Sequence, residues 1–181
     1  MTGTIKLLSL LLLVMSLQGC LVFKTVSYKI HLNDANSGTV NMDFKDIRSD
    51  AADVSQLEQD KKQLFQDMAK SDEFVSQMKS EGRNILSRNL YVSNGTLNGS
   101  VSYSFNDISS VENLVYQEPF YYVTFGLEDS IISTNGEIIL SDDYKRIVWD
   151  NSITTLEFEW FSTNTDNPNL VELVKYYDQE K

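Results

Sequence analysis

The chain has 181 residues, 26 acidic against 15 basic, and a formal net charge of −11. One Cys and one His exclude an internal disulfide and a Cys/His zinc site, which needs about four ligands. The acid excess argues against nucleic acid and bare anionic bilayer as partners, and 41% apolar residues argue against disorder.

Lys6 is the only charged residue before Cys20, and it precedes an apolar run over residues 7–15 broken only by Ser9. A short positive region, a run of this length and a small-residue exit predict a secretory signal peptide over residues 1–19. The run is too short for a membrane span, which needs about 20 apolar residues. Leu17-Gln18-Gly19-Cys20 resembles the bacterial lipobox. That resemblance implies cleavage between Gly19 and Cys20 and lipidation, by diacylglyceryl and palmitate-type chains, of the lone Cys20. Two acyl chains suffice for stable anchoring, so the expected membrane partner is reached through Cys20 and no further span is needed. Leu21, rather than Asp, follows the Cys; by the same resemblance this implies the outer membrane, facing periplasm or exterior, where the host has one.

The mature chain of 162 residues keeps 14 basic and 26 acidic residues, a net charge of −12. Residues 20–22 read as the lipidated Cys and a short tether, and 23–181 as a single domain. Alternation from Phe23 predicts a strand over about 22–32. Asp34-Ala35-Asn36-Ser37-Gly38 echoes a calcium loop, but position twelve would be Lys45, so a hairpin turn is expected. A second strand follows over 39–47. The period then becomes helical, with Val54, Leu57, Lys61, Leu64, Phe65 and Met68 on one face, Asp53 as N-cap and Gln56 three residues on. Ser71 is expected to cap a second helix whose apolar face is Phe74, Val75, Met78, Ile85 and Leu86.

Strands resume near residue 89. Asn94-Gly95 predicts a hairpin into 97–105, with Asn98-Gly99 as a candidate bulge. Both Asn residues also match the glycosylation pattern, but read as hairpin residues. Ser109-Ser110-Val111-Glu112 reads as a capping box. Strands are then expected over 120–125, 137–140, 144–149 and 155–160, with Leu156, Phe158 and Trp160 facing the core. Pro168 is placed at the start of a short C-terminal helix with Leu170, Val174 and Tyr177 on its face. The predicted fold is α+β: an antiparallel sheet of hairpins, two consecutive helices packed on one face and a short C-terminal helix. The stretches 102–114, Ser133-Thr134-Asn135-Gly136 and Val148-Trp149 in this order are similar to LppM-type bacterial lipoproteins. The resemblance implies an anchored soluble α+β domain, with lipid or glycolipid binding in some members. Members also carry a C-terminal transmembrane helix and basic tail, and these 181 residues contain neither.

Catalytic candidates are sparse. His31 has Asp34 three residues on but sits at a strand end. Glu157 and Glu159 share a strand face, with Glu172 near in sequence; a carboxylate hydrolase would need such a pair, yet a solvated outer face explains it. No nucleophile elbow, HExxH or phosphate-cradling loop occurs, and no cofactor is implied. Tyr116, Phe120, Tyr121, Tyr122 and Phe125 form a candidate ligand or partner patch, or else a strand covered on both faces. The expected function is a lipid-anchored, non-enzymatic binding or assembly module of the bacterial envelope, working on an unknown envelope protein. The alternative is a carrier or sensor of an apolar ligand such as lipid, held in a cavity near Phe65, Met68, Met78, Phe125 and Trp160.

Overall fold

The computed structural model describes residues 21–160 and 164–180. The fold is α+β, with three antiparallel sheets in place of the single expected one. The largest has six strands in the order β5-β6-β3-β2-β12-β9: β2 (Thr25–Leu32), β3 (Gly38–Lys45), β5 (Arg83–Ser93), β6 (Thr96–Phe105), β9 (Ile131–Thr134) and β12 (Thr155–Trp160). The second has the order β10-β11-β8-β7: β7 (Leu114–Gln117), β8 (Phe120–Phe125), β10 (Glu137–Leu140) and β11 (Lys145–Asp150). The third joins the short β1 (Leu21–Val22), β4 (Arg48–Ser49) and β13 (Val171–Glu172).

Two cores follow from this arrangement. The larger joins Val26, Tyr28, Ile30, Leu156 and Phe158 of the six-stranded sheet to Tyr121, Val123, Phe125, Ile147 and Trp149 of the four-stranded one. Phe158 centres it, stacked on Tyr28 at 4.7 Å and against Trp149 at 5.9 Å. Strict alternation in β2 and β12 puts every second side chain inward. The smaller core holds Ile47, Leu64, Phe65, Leu97 and Leu173.

The helices are shorter than their periodicity suggests. α1 (Val54–Lys62) begins as expected: Asp53 accepts from the Gln56 N–H at 2.9 Å, and Gln56 Oε1 accepts from the Ala52 N–H. It runs into a π-helical stretch, Gln63–Met68, where adjacent Leu64 and Phe65 are both buried. Val54, expected on the apolar face, is exposed. α2 (Asp72–Ser80) is capped by Ser71 as expected. It stops six residues early, because Gly82 at φ 84° turns the chain into β5, and Ile85 and Leu86 lie on that strand.

Other boundaries also differ. Strand one is split, and Leu21 and Val22 pair with Ser49 and Arg48, so the expected tether belongs to a sheet. Asn98-Gly99 pairs in register; the irregularities lie at Ile85/Ser87 and Glu159/Trp160. Asp107, not Ser109, caps the short 3-10 turn Ile108–Ser110. Pro168 lies before β13, and the terminal helix α3 (Val174–Glu180) starts six residues later. Leu170 therefore lies outside that helix, while Val174 and Tyr177 lie in it. No helix among the described residues is long and apolar enough to cross a membrane.

Candidate functional site

β8 is a central strand, so its aromatic run is divided between two faces. Tyr121 and Phe125 point into the core, Tyr121 being 3% exposed, and Tyr116 packs against Tyr121 at 4.6 Å. Phe120, 44% exposed, and half-buried Tyr122 point the other way. The five residues therefore do not share one surface. What the outer face carries is a cross-strand row of Val115, Tyr122, Val148 and Glu137. Beside it, the Arg146 guanidinium lies 4.2 Å over the Tyr122 ring and 4.7 Å from the Tyr144 ring, and Arg146 Nε donates to Thr124 Oγ1.

At the edge of this sheet stands β10, whose four residues are all exposed. Ile138, Ile139 and Leu140 are 46%, 43% and 71% exposed. The sequence reads here as a strand, and four residues are too few for alternation to say which face is covered. The corner that sets β10 is tightly built. Asn135 Oδ1 accepts from Trp149 Nε1 at 2.7 Å and from the Glu157 N–H at 2.9 Å, while its Nδ2 donates to the Thr155 carbonyl. Gly136 follows with no room for a Cβ, which would lie 2.6 Å from Ile147 and 2.7 Å from the Trp149 ring.

The opposite surface, the outer face of the six-stranded sheet, is polar. One cross-strand row reads Asn89, Ser100, Asp43, Ser27, Glu159 and Ser133; the next includes Ser102, Asn41, Lys29 and Glu157. A shallow concavity of about 370 Å³ lies over Ser27, Asn41, Asp43, Ser133 and Glu159. Glu157 is bridged by Lys29 at 2.7 Å. Glu172 lies in the third sheet, bound by Lys175, and does not join the other two carboxylates. His31 is exposed on this face with Thr155 Oγ1 at 3.3 Å. Asp34 turns away from it: its carboxylate accepts from the Asn36 and Ser37 N–H groups and the Ser37 hydroxyl. The hydroxyl bond first, then the backbone N–H groups, hold its pKa below the usual carboxylate value. The motif is thus a self-satisfied turn. No group of three metal-ligating side chains occurs among the described residues.

Between the π-helical stretch and the sheet lies an apolar cavity of about 60 Å³. Leu21, Phe23, Phe44, Leu64, Met68 and Leu90 line much of it. Of the residues expected around such a cavity only Met68 does so; Phe65, Phe125 and Trp160 are packed into or against the cores.

The pKa of Asp60 is raised, first by burial, and this is opposed by the Ser49 hydroxyl bond at 2.5 Å. It is 1% exposed, its Oδ1 has no partner, and it lines neither concavity. A folded-state pKa above the unfolded value means the native state holds its proton longer. Asp60 therefore costs no stability below the unfolded value, near 3.9, and costs progressively more as pH rises through the folded value. Asp60→Asn should remove this dependence. Chemical denaturation from pH 4 to 7 should show the variant gaining on wild type as pH rises. A constant difference across that range would contradict it.

Gly19 and Cys20, the expected cleavage and lipidation residues, lie outside the described residues. No family profile, curated protein or solved structure matches this chain.

Proposed function

We propose that this chain is a lipid-anchored protein of the bacterial envelope, acting as a non-enzymatic binding or assembly module. The observation that carries the reading is the lipobox-like Leu17-Gln18-Gly19-Cys20, with β1 beginning at the very next residue. Acyl chains on Cys20 would hold the domain close to the bilayer through the third sheet. An acidic chain needs such an anchor, since it has few basic residues for anionic headgroups. The Val115, Tyr122, Val148 row with its stacked Arg146 supplies a surface for an envelope partner, apolar at its centre and charged at one side.

Replacing Cys20 by Ser tests the anchor. The expected result is loss of the acylated form in mass spectra and transfer of the protein from membrane to soluble or unprocessed fractions. Wild-type processing and membrane retention in the variant would reject the reading.

The apolar cavity supports the second reading, a sensor or carrier of an apolar ligand. Its about 60 Å³ is well under the roughly 150 Å³ that admits benzene. An acyl chain would enter only if the helical stretch moved. Lipid co-purifying with the Cys20→Ser protein, and lost on Met68→Trp, would favour this second reading over the first.

A further inference from the structure

β10 ends the four-stranded sheet, and nothing among the described residues pairs with its outer edge. The Ser141 N–H donates to the Tyr144 carbonyl at 2.9 Å. Antiparallel pairs alternate between hydrogen-bonded and non-hydrogen-bonded types. The pairs Ile139–Arg146 and Glu137–Val148 are therefore hydrogen-bonded within the sheet, in phase with Ser141–Tyr144. Ile138 and Leu140 are the non-bonded partners of Ile147 and Lys145, so their N–H and C=O groups point out of the free edge. An apolar edge with unpaired groups is a template for another strand, and proteins usually block such edges with charge, proline or a covering element. Here the three apolar residues stand uncovered and Glu137 alone marks the strand's start.

We infer that β10 pairs with β10 of a second copy of this chain, in one register. Antiparallel pairing about a two-fold axis at Ile139 puts Ile138 opposite the partner's Leu140 and Leu140 opposite the partner's Ile138. These are the residues whose backbone groups point outward, so four hydrogen bonds form. Ile139 meets the partner's Ile139 as the close, non-hydrogen-bonded pair. Glu137 falls opposite the partner's Ser141, which keeps the two Glu137 carboxylates apart. Shifting the axis to Ile138 would place Glu137 against the partner's Ile139 and leave Leu140 facing the partner's Gly136. The strand is thus self-complementary in the register centred on Ile139, as pairing with a second copy requires. The contact is isologous and closes on itself, giving a dimer rather than a fibre. Four residues a side make it small, so the dimer is weak in dilute solution.

The inference goes beyond the proposed anchor and does not depend on it. Ile139→Cys in the full Cys20→Ser chain leaves a single thiol. Non-hydrogen-bonded pairs have Cα atoms about 4.5 Å apart, inside the roughly 4.4–6.8 Å that a disulfide spans. Mild oxidation in detergent should yield a covalent dimer at least about tenfold faster than Val115→Cys, which sits on the opposite edge strand. Ile138→Cys or Leu140→Cys alone should cross-link slowly, and an equimolar mixture of the two should cross-link at a rate nearer that of Ile139→Cys. Ile139→Lys, which opposes like charges, should reduce the dimer fraction several-fold in light scattering. Equal rates for Ile139→Cys and Val115→Cys would overturn the inference, as would fast homodimer formation by Ile138→Cys alone. It would also fall if the protein stayed monomeric while Ile139→Lys abolished sedimentation with phosphatidylcholine vesicles; the edge would then face lipid.

Discussion

Trp149→Ala is expected to destabilise the protein by about 3–5 kcal/mol, the range for removing a large buried aromatic side chain. Trp149 is 1% exposed, packs on Phe158 across the two sheets, and donates its indole N–H to Asn135. The truncation leaves a cavity at the centre of the larger core and takes one bond from the corner that carries β10. A domain of this size has a stability of about 5–15 kcal/mol, so about a fifth or more of it is at stake. Trp149→Phe separates the two contributions. It keeps most of the ring volume and removes the N–H, while Asn135 Oδ1 retains the Glu157 N–H. Its cost should be about 1–2 kcal/mol. Urea unfolding followed by circular dichroism reads both. A loss under 1 kcal/mol for the alanine variant would mean that the two sheets do not pack through Trp149. The Ile139→Cys cross-link, repeated in Trp149→Phe, would then report whether the corner still holds the edge strand in place.

Gly38→Ala has the second largest expected effect. Gly38 is buried at the start of β3, paired with Leu32 on one side and Phe105 on the other. A Cβ there would lie 2.2 Å from the His31 carbonyl oxygen and 3.0 Å from the Phe105 ring. The first contact is with backbone, so no side-chain rotation relieves it. The β2–β3 hairpin must open or shift, at a cost of about 3 kcal/mol or more. Both strands lie in the middle of the six-stranded sheet, so the disturbance reaches β6 and β12. Hydrogen exchange should show faster exchange across β2 and β3, with the midpoint of unfolding lowered. Gly95→Ala makes a useful contrast: nothing lies within 4 Å of its Cβ, and only its φ of 77° resists the change. That variant should lose about 1 kcal/mol, and a Gly38→Ala variant no less stable than it would refute the packing argument.

The two variants also show which parts of the fold a sequence can express. Turns and caps are local chemistry, and they were legible. Asp53 with Gln56, Ser71 and Asn94-Gly95 act where their own side chains or backbone freedom place them. The alternation of β2 and β12 was equally plain, because a half-buried strand records its two faces residue by residue. Where a neighbouring signal competed, local reading failed. Helical spacing carried α2 past Gly82 because Ile85 and Leu86 continue an apolar period by coincidence, while the left-handed glycine ends the helix. Pro168 looked like a helix start, but the chain there first adds β13 to β4 before α3 begins.

By itself the sequence determined an α+β protein, most of its longer strands and several of its turns and caps, since these depend on near neighbours. Only the tertiary structure decided how the strands divide among three sheets, because pairing depends on residues far apart in the chain. It also decided that the aromatic run of β8 belongs half to the core and half to the surface. Nothing in Phe120-Tyr121-Tyr122-Val123-Thr124-Phe125 says which parity is covered; the six-stranded sheet supplies that by packing against one face only. The same holds for Glu-Ile-Ile-Leu in β10. Its position at a sheet edge leaves it exposed, with the backbone groups of Ile138 and Leu140 directed outward.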